Sequence, residues 1–334
     1  MSNYLLIGAG FSRNWGGWLA DEAFEYLLGC REIQTSGWLH DSLWRHHDWG
    51  DGFEGVISEA QAAFTQNPHG SEEDLRAVQD AVSRMFDDMN QGFFRREGSV
   101  HPFEFSNDAA KSVSKFLARF DAIFSLNQDL LLEHFYFSEV SLRSNNRWAG
   151  IDYAGLSRVP CSDAYAHASF SRSTWVPMSP ENLALNPYSQ PIFKLHGSSN
   201  WHDAEGKRLL IMGGQKPGQI SRHPVLTWYA EEFERRLSNQ NARLMIIGYG
   251  FRDPHINEVL KKAVEKGLKT FVICPQGASI ALTLNKTQGA NQIGEPSQEE
   301  LTLKYSLIGA SRRLLPQIFG DDDAEFAKVH RFFG

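Results

Sequence analysis

Short apolar runs alternate with amphipathic stretches along the 334-residue chain. Residues 4–7, 120–126, 191–195, 243–247 and 270–274 are apolar runs with the length of buried strands. Between several of them, apolar positions recur every three to four residues, which is typical of helices that bury one face. Strands that alternate with helices predict an α/β fold.

The last third of the chain gives the clearest pattern. The strand at residues 243–247 precedes an amphipathic helix at residues 255–266, which Gly267 ends, and the strand at residues 270–274 follows. This order predicts a βαβ unit of parallel strands, and hence a Rossmann-like, doubly wound, mostly parallel sheet. The charges within residues 321–333, acidic first and basic later, indicate a terminal helix.

Residues 29–105 interrupt this alternation. Their first half is crowded with Trp, His, Asp and Gly, and a long helix beginning at Ser71 is predicted for residues 71–89. We therefore predict a largely helical insertion that forms a lid or an interface. The predicted organisation is a single domain over residues 1–334, with residues 1–28 and 106–334 as the α/β core and residues 29–105 as the insertion.

Three further segments have weaker patterns. A helix is predicted for residues 107–119, and another begins within residues 129–137. Residues 138–190 carry four prolines, with Pro191 directly after them, and are predicted to be rich in loops.

Composition narrows the class of protein. The chain is 42% apolar and 22% charged, which predicts a globular protein with a sizeable core. Its net charge of −7 disfavours a protein that coats nucleic acid or anionic lipid. A transmembrane helix needs roughly 20 apolar residues, far more than any run here. Because no secretory signal is visible either, we expect a cytoplasmic protein.

The three cysteines, Cys30, Cys161 and Cys274, lie far apart, and the sequence contains no C-x-x-C. This spacing argues against a zinc ribbon and against a disulfide framework. We expect buried thiols and no metal.

Candidate chemistry follows four of the predicted strands. Because the carboxyl ends of parallel strands meet at one edge of a sheet, the loops at residues 8–13, 127–129, 196–199 and 248–253 are expected to share one rim.

The first loop contains Gly8 and Gly10, which let backbone N–H groups approach a pyrophosphate at a helix N-terminus. The dehydrogenase fingerprint requires a third glycine where Arg13 stands, so a hydride-transfer enzyme is disfavoured. A tight turn that binds no ligand explains the two glycines equally well.

The other loops are ambiguous when each is taken alone. Asn127 and Asp129 lie at a strand-to-helix junction, where a helix cap is the simpler interpretation. Asp253 is likewise interpreted as a cap. His196 ends an apolar strand, where structural and catalytic roles are equally open. Three histidines without such a context are interpreted as surface or packing residues, namely His46, His47 and His202.

Together, the four loops resemble the sirtuin family. Sirtuins carry a Gly-Ala-Gly-x-Ser loop, an Asn-x-Asp motif, a catalytic His in Leu-His-Gly and a late Gly-rich loop, in that order. The matching residues are Gly8 to Ser12, Asn127 to Asp129, Leu195 to Gly197 and Gly248 to Gly250. The likeness covers about residues 3–20 and 120–275.

One departure refines this resemblance. Deacylating sirtuins hold a four-cysteine zinc ribbon between the His and the late loop, and this sequence has none. Residues 248–257 instead resemble the corresponding segment of the prokaryotic sirtuin-like branch, with the sequence Gly-Tyr-Gly-Phe-Arg-Asp-Pro-His-Ile-Asn. Domains of that branch typically consume NAD in anti-phage defence. The resemblance therefore implies an NAD glycohydrolase that releases nicotinamide and ADP-ribose.

The resemblance also implies residue roles. Asn127 would orient the ribose or the attacking water, Asp129 would hold the nicotinamide carboxamide, and His196 would act as the base. The dinucleotide would be bound by Gly8, Ala9, Gly10, Phe11, Ser12, Arg13, Gly197, Gly248, Tyr249 and Gly250.

Two alternatives stay open: an NAD- or ADP-ribose-binding module without turnover, and an NAD-dependent protein deacylase or ADP-ribosyltransferase. Because NAD loss is toxic, we expect control through a homo-oligomer or a separately encoded partner. In related systems that partner is a hexameric DNA-translocase ATPase or an Argonaute-like protein. Residues 38–49 are the candidate interface. No membrane contact and no direct nucleic-acid binding are expected.

Overall fold

The computed structural model describes residues 1–95, 102–137, 148, 150–160, 169–283 and 304–334. Cys161 and part of the predicted loop-rich segment lie outside these ranges. The strands, in chain order, are β1 (Ser2–Ile7), β2 (Ala122–Ser125), β3 (Gly150–Asp152), β4 (Leu156–Arg158), β5 (Trp175–Pro177), β6 (Ser189–Lys194), β7 (Gly197–His202), β8 (Arg208–Leu210), β9 (Ala242–Ile247), β10 (Lys269–Ile273) and β11 (Leu307–Ser311).

The helices are numbered in the same way. They are α1 (Ala9–Ser12), α2 (Ala20–Leu28), α3 (Arg31–Thr35), α4 (Gly37–Trp49), α5 (Gly52–Gln66), α6 (Pro68–Phe94), α7 (Val113–Leu117), α8 (Lys216–Ile220), α9 (Pro224–Leu237), α10 (Pro254–Glu265), α11 (Ile280–Thr283), α12 (Leu315–Ile318) and α13 (Asp323–His330). Among the described residues, no helix is both long enough and apolar enough to cross a membrane.

A seven-stranded sheet forms the centre of the molecule, in the order β11-β10-β9-β1-β2-β6-β3. All of its pairings are parallel. Leu5 and Leu6 are neighbours on β1 that point to opposite faces, and both are fully buried. The sheet is therefore covered on both faces, which confirms the predicted doubly wound α/β fold.

The strand order reverses beside β1. The chain builds β2 and β6 on one side of β1, then crosses over and builds β9, β10 and β11 on the other. Doubly wound sheets bind ligands at the carboxyl ends of the strands where this reversal occurs. The four loops singled out in the sequence follow β1, β2, β6 and β9, so they do share one rim.

A second sheet, which the sequence analysis did not predict, has four strands in the order β4-β5-β7-β8. Its β7 contains Ser198 and Ser199, which were predicted to lie in a loop. Three of its strands have only three residues each, so they lack the apolar run that marks a buried strand.

The helical character predicted for residues 29–105 holds for α3 to α6. The predicted start of the long helix at Ser71 is wrong, because α6 begins at Pro68. Asn67 caps it by accepting a hydrogen bond from the Gly70 N–H, and proline suits the first helical position. The assignment of this insertion to a lid or an interface stays a prediction.

The helix predicted for residues 107–119 is also wrong as a continuous element. A 3-10 turn at Ala109–Lys111 precedes α7, because Ser112 has extended backbone and caps a new helix through the Lys115 N–H. Residues 132–136 form a π-helical turn within the helix predicted after Asp129. The βαβ unit is confirmed, with Gly267 at a φ of +100°, and so is the terminal helix α13.

Candidate active site

The two glycine-rich loops meet at the point where the strand order reverses. The Gly8 N–H donates to the Ile247 carbonyl at 3.0 Å, and the Gly10 N–H donates to the Gly248 carbonyl at 2.9 Å. A Cβ atom on Gly8 would lie 2.7 Å from the Gly248 oxygen, and one on Gly248 would lie 2.3 Å from the Gly10 carbonyl carbon. Loop packing therefore requires both glycines, whether or not a ligand binds.

Asn127 joins the loop after β2 to the first loop. Its Nδ2 donates to the Gly8 carbonyl at 3.0 Å and to Ser12 Oγ at 2.9 Å. Its own N–H donates to Ser125 Oγ at 3.1 Å. The side chain is buried and tethers two strand ends, so the cap interpretation does not apply to Asn127.

Asp129 is buried beside the same serine. Its Oδ1 accepts from the Leu131 N–H at 3.0 Å, which is the contact expected of a cap, and its carboxyl also hydrogen-bonds the Ser12 hydroxyl. Burial raises the pKa of Asp129, although the Lys194 charge and these hydrogen bonds oppose that rise. Asn127, Ser12 and Asp129 thus form one buried hydrogen-bonded chain across the ends of β1 and β2.

His196 lies in the tight turn between β6 and β7. Gly197 has a φ of +76°, and a Cβ there would lie 2.0 Å from the Leu209 carbonyl oxygen, so the turn requires glycine. The His196 carbonyl accepts from Gln128 Nε2 and from the Ile211 N–H, both at 2.9 Å. Gln128, which sequence reasoning passed over between Asn127 and Asp129, therefore fixes the position of His196.

A second histidine faces the first. The Nε2 atoms of His196 and His255 are 3.0 Å apart. Burial and the Lys216 charge lower the pKa of His196 to about 3, and Asp253 offsets only part of this effect. Burial also lowers the pKa of His255, against the opposing charge of Asp253. Both imidazoles are therefore neutral at neutral pH.

Asp253 occupies the cap position of α10 but does not cap it. No hydrogen bond joins its side chain to the helix, so the predicted capping role is wrong. Its Oδ1 instead accepts from Lys216 Nζ at 2.6 Å. Lys216 Nζ also lies 2.7 Å from Glu54 of α5, which connects the rim to residues 29–105. Burial would raise the pKa of Asp253, but the neighbouring His196 and Lys216 hold it below the ordinary value.

A second lysine near the rim, Lys194, is buried. Lys194 Nζ donates to Glu133 Oε1 at 2.7 Å, to the Asp129 main-chain oxygen at 2.6 Å and to Ser198 Oγ at 2.7 Å. Tyr153 also donates to Glu133. Sequence reasoning missed this ion pair, although a lysine inside an apolar run is rarely buried unless it is paired.

Several predicted binding residues have other partners. Arg13 forms an ion pair with Glu22, and Phe11 packs in the core against Trp15. The Tyr249 hydroxyl donates to Asn257 Oδ1 at 2.9 Å, so Tyr249 ties its loop to α10. Ala9 and Gly250 are exposed. The roles of all these residues in dinucleotide binding stay predictions.

A pocket of about 540 Å³ lies at the ends of β10 and β11, two strands from the first loop. Its lining includes Ser311, Arg312, Arg313, Glu325 and Lys328. Three of these side chains are cationic and one is anionic; Lys328 pairs with Glu325 at 2.6 Å and Arg313 with Asp322 at 3.6 Å. The volume falls within the range of small-molecule sites, roughly 300–1,000 Å³.

A solved structure reported for the mechanism and regulation of Sir2 enzymes matches 99% of this chain and 93% of its own at 13% identity, with a TM-score of 0.34. No curated protein matches. The family model of the SIR2-like domain matches residues 121–293, which is more than half of the chain and includes Asn127, Asp129, His196 and the late glycine-rich loop. Because this match covers more than half of the chain, the chain belongs to the SIR2-like domain family, which supports an NAD-related enzyme activity.

Proposed function

We propose that the chain is an NAD glycohydrolase that cleaves the nicotinamide–ribose bond and gives nicotinamide and ADP-ribose, with water as the acceptor. The observation that carries this proposal is the buried chain of Asn127, Ser12 and Asp129 at the strand reversal, with His196 on the neighbouring strand end. The family supplies NAD as the substrate class.

The chemistry needs little acid catalysis, because nicotinamide leaves as a neutral molecule. The site must instead position the ribose and stabilise the positive charge that develops on it. The two bonds from Asn127 Nδ2 fix the direction of its Oδ1, which suits an orienting role toward the ribose or the water. The raised pKa of Asp129 favours a carboxyl group that can hydrogen-bond the carboxamide of nicotinamide.

His196 is the proposed proton acceptor. Its imidazole is neutral, so a ring nitrogen can accept a proton, but its low pKa makes it a weak base. A weak base suffices when the ribose hydroxyl or water becomes acidic as positive charge develops. Asp253 stabilises the protonated form, since its charge raises the pKa of His196.

The basic pocket beside β10 and β11 supports binding of an extended dinucleotide. It lies on the same edge of the sheet as the first loop, and the Arg312 guanidinium in its lining suits a phosphate-bearing ligand. We propose that it receives the adenosine end of NAD.

Variant kinetics test the proposal. Asn127→Ala and His196→Ala should each lower NAD turnover by about 100-fold or more. His69 is an exposed histidine at the start of α6, far in sequence from Asn127 and His196. It provides the control His69→Ala, which should keep wild-type turnover. Circular dichroism confirms that each variant is folded. Wild-type rates in both site variants would overturn the assignment.

A binding module without turnover is the second candidate. The observation that favours it is the direct packing of Gly8 and Gly10 against Gly248, which explains the glycines without a ligand. Calorimetric titration with NAD and with ADP-ribose distinguishes the two functions, because the module binds both and converts neither.

We further propose that assembly controls an NAD-depleting effector of anti-phage defence, through a homo-oligomer or a separately encoded partner. Trp44 and Trp49 of α4 support an interface there, since they are 45% and 64% exposed. Activity that rises with protein concentration in the wild type but not in Trp49→Ser would support this control. A constant specific activity across concentrations would contradict assembly by self-association.

A further inference from the structure

Three potential metal ligands converge at the rim from two separate elements. His196 comes from the turn after β6, while Asp253 and His255 come from the start of α10. One ligand atom from each residue lies within 4.8 Å of the other two. His196 is buried and the other two are partly buried, so the cluster faces little competing solvent.

The spacing of the two imidazoles suits a tetrahedral ion. With Zn–N bonds of about 2.0–2.1 Å, two tetrahedral ligand atoms lie roughly 3.3 Å apart. The Nε2 atoms of His196 and His255 are already 3.0 Å apart, so a small shift would accommodate an ion between them. Two imidazoles and one carboxylate favour zinc and similar first-row metals over magnesium or calcium, which prefer oxygen ligands.

The charges around the cluster can also accommodate a cation. Asp253 and Glu54 share the single ammonium group of Lys216. When Asp253 turns an oxygen toward a metal, Lys216 keeps its 2.7 Å contact with Glu54. The lysine is therefore not left without a partner.

We propose that His196, Asp253 and His255 bind one Zn²⁺ ion, and that this ion inhibits NAD hydrolysis by occupying the Nε2 lone pair of His196. The binding site stands on the geometry alone. The inhibition rests on the proposed NAD hydrolysis, in which His196 accepts a proton.

Cobalt titration tests the site without any need for activity. Tag-free, metal-stripped protein is titrated with Co²⁺, whose visible absorption reports tetrahedral coordination, and the bound Co²⁺ is then displaced with Zn²⁺. We expect one ion per chain, without the thiolate charge-transfer band that Cys30 or Cys274 would produce. His255→Ala and Asp253→Asn should each weaken binding by more than about 100-fold, beyond the usual effect of losing an outer-shell contact. His69→Ala should bind like the wild type.

Equal binding by the wild type and His255→Ala, a thiolate band, or no saturable binding at micromolar Co²⁺ would overturn the site. The inhibition is tested separately, by NAD hydrolysis with Zn²⁺ and then with a chelator. We expect Zn²⁺ to stop NAD hydrolysis by the wild type and the chelator to restore it. The remaining NAD hydrolysis by His255→Ala should continue in the presence of Zn²⁺. Full activity of the zinc-loaded wild type would overturn the inhibition. A chain that binds metal but does not hydrolyse NAD would count against NAD hydrolysis by the chain alone and would leave the metal site standing.

Discussion

The buried Lys194 and the partly buried Lys216 contact their neighbouring aspartates in different ways. Lys194 forms its ion pair with Glu133 and bonds the main-chain oxygen of Asp129 rather than the carboxylate. Lys216 pairs directly with the carboxylate of Asp253 and with Glu54. Burial raises the pKa of Asp129, whereas charged and hydrogen-bonded neighbours hold the pKa of Asp253 below its ordinary value despite burial.

This contrast shows that burial raises the pKa of both carboxyl groups, and that the placement of the charged and hydrogen-bonding partners decides whether this rise is overcome. A carboxyl group with a raised pKa keeps its proton to a higher pH than usual, and in its protonated form it can donate a hydrogen bond to a ligand. A carboxylate fixed by a lysine can instead stabilise a cation, either a protonated histidine or a metal ion. The rim thus combines two kinds of carboxyl group within one sheet edge.

The largest expected effect is a loss of stability when Lys194, the more deeply buried lysine, is replaced. Lys194→Met removes the ion pair with Glu133, and the side chains of these residues are only 3% and 1% exposed. We expect a loss of about 3–5 kcal/mol in the free energy of unfolding. Denaturant unfolding measures it, and Lys194→Met combined with Glu133→Gln should recover part of it. A loss below about 1 kcal/mol would contradict the role of this pair.

A smaller loss is expected at the other lysine, because its partner Glu54 is 39% exposed. Lys216→Met should cost about 1–3 kcal/mol in the free energy of unfolding. It should also raise the pKa values of both Asp253 and His196, since the Lys216 charge lowers both. Proton titration by NMR measures these shifts. A loss in the free energy of unfolding as large as that of Lys194→Met would contradict the expected difference between the two lysines.

Stability should fall as the pH drops below about 6.5, the ordinary pKa of histidine. The pKa of His196 is lowered in the folded chain, so over this range the unfolded chain binds a proton that the folded chain does not. This group alone should cost about 2 kcal/mol between pH 7 and pH 5. Thermal or denaturant unfolding at each pH measures it, and His196→Gln should flatten the profile. An unchanged slope in His196→Gln would contradict the lowered pKa.

The smallest effect is expected from Asp129→Asn. Lys194 contacts the main-chain oxygen of Asp129 rather than its carboxyl group, so a neutral side chain of the same shape breaks no ion pair, and the amide oxygen can still accept from the Leu131 N–H. We expect a change below about 1 kcal/mol in the free energy of unfolding. Asp253→Asn, which takes a carboxylate from Lys216, should cost more. The reverse order in denaturant unfolding would contradict the comparison.

Much of the central sheet is predictable from the sequence because its strands are buried on both faces. Burial of that kind forces continuous apolar runs, as at residues 243–247 and 270–274. The three-residue strands of the second sheet carry no such run. Helix starts depended on single residues, and Asn67 with Pro68 formed the cap that Ser71 was expected to form.

The site was predictable only where chemistry coincides with a strand end. Asn127, Asp129 and His196 each follow an apolar run, so parallel strands bring them to one rim. Lys216 lies 162 residues from Glu54, and its position beside Asp253 arises from tertiary packing alone. The pattern of apolar and polar residues along the chain contains no signal for such a contact.

The most direct test of the central claim, that this rim hydrolyses NAD, is to incubate the purified chain with NAD at low and high protein concentrations and separate the products by chromatography. We predict equal amounts of nicotinamide and ADP-ribose, both lost in His196→Ala. NAD that stays intact at every protein concentration, while calorimetry detects its binding, would contradict an enzyme that acts alone or through self-association. It would leave a binding module or an enzyme that requires a separately encoded partner.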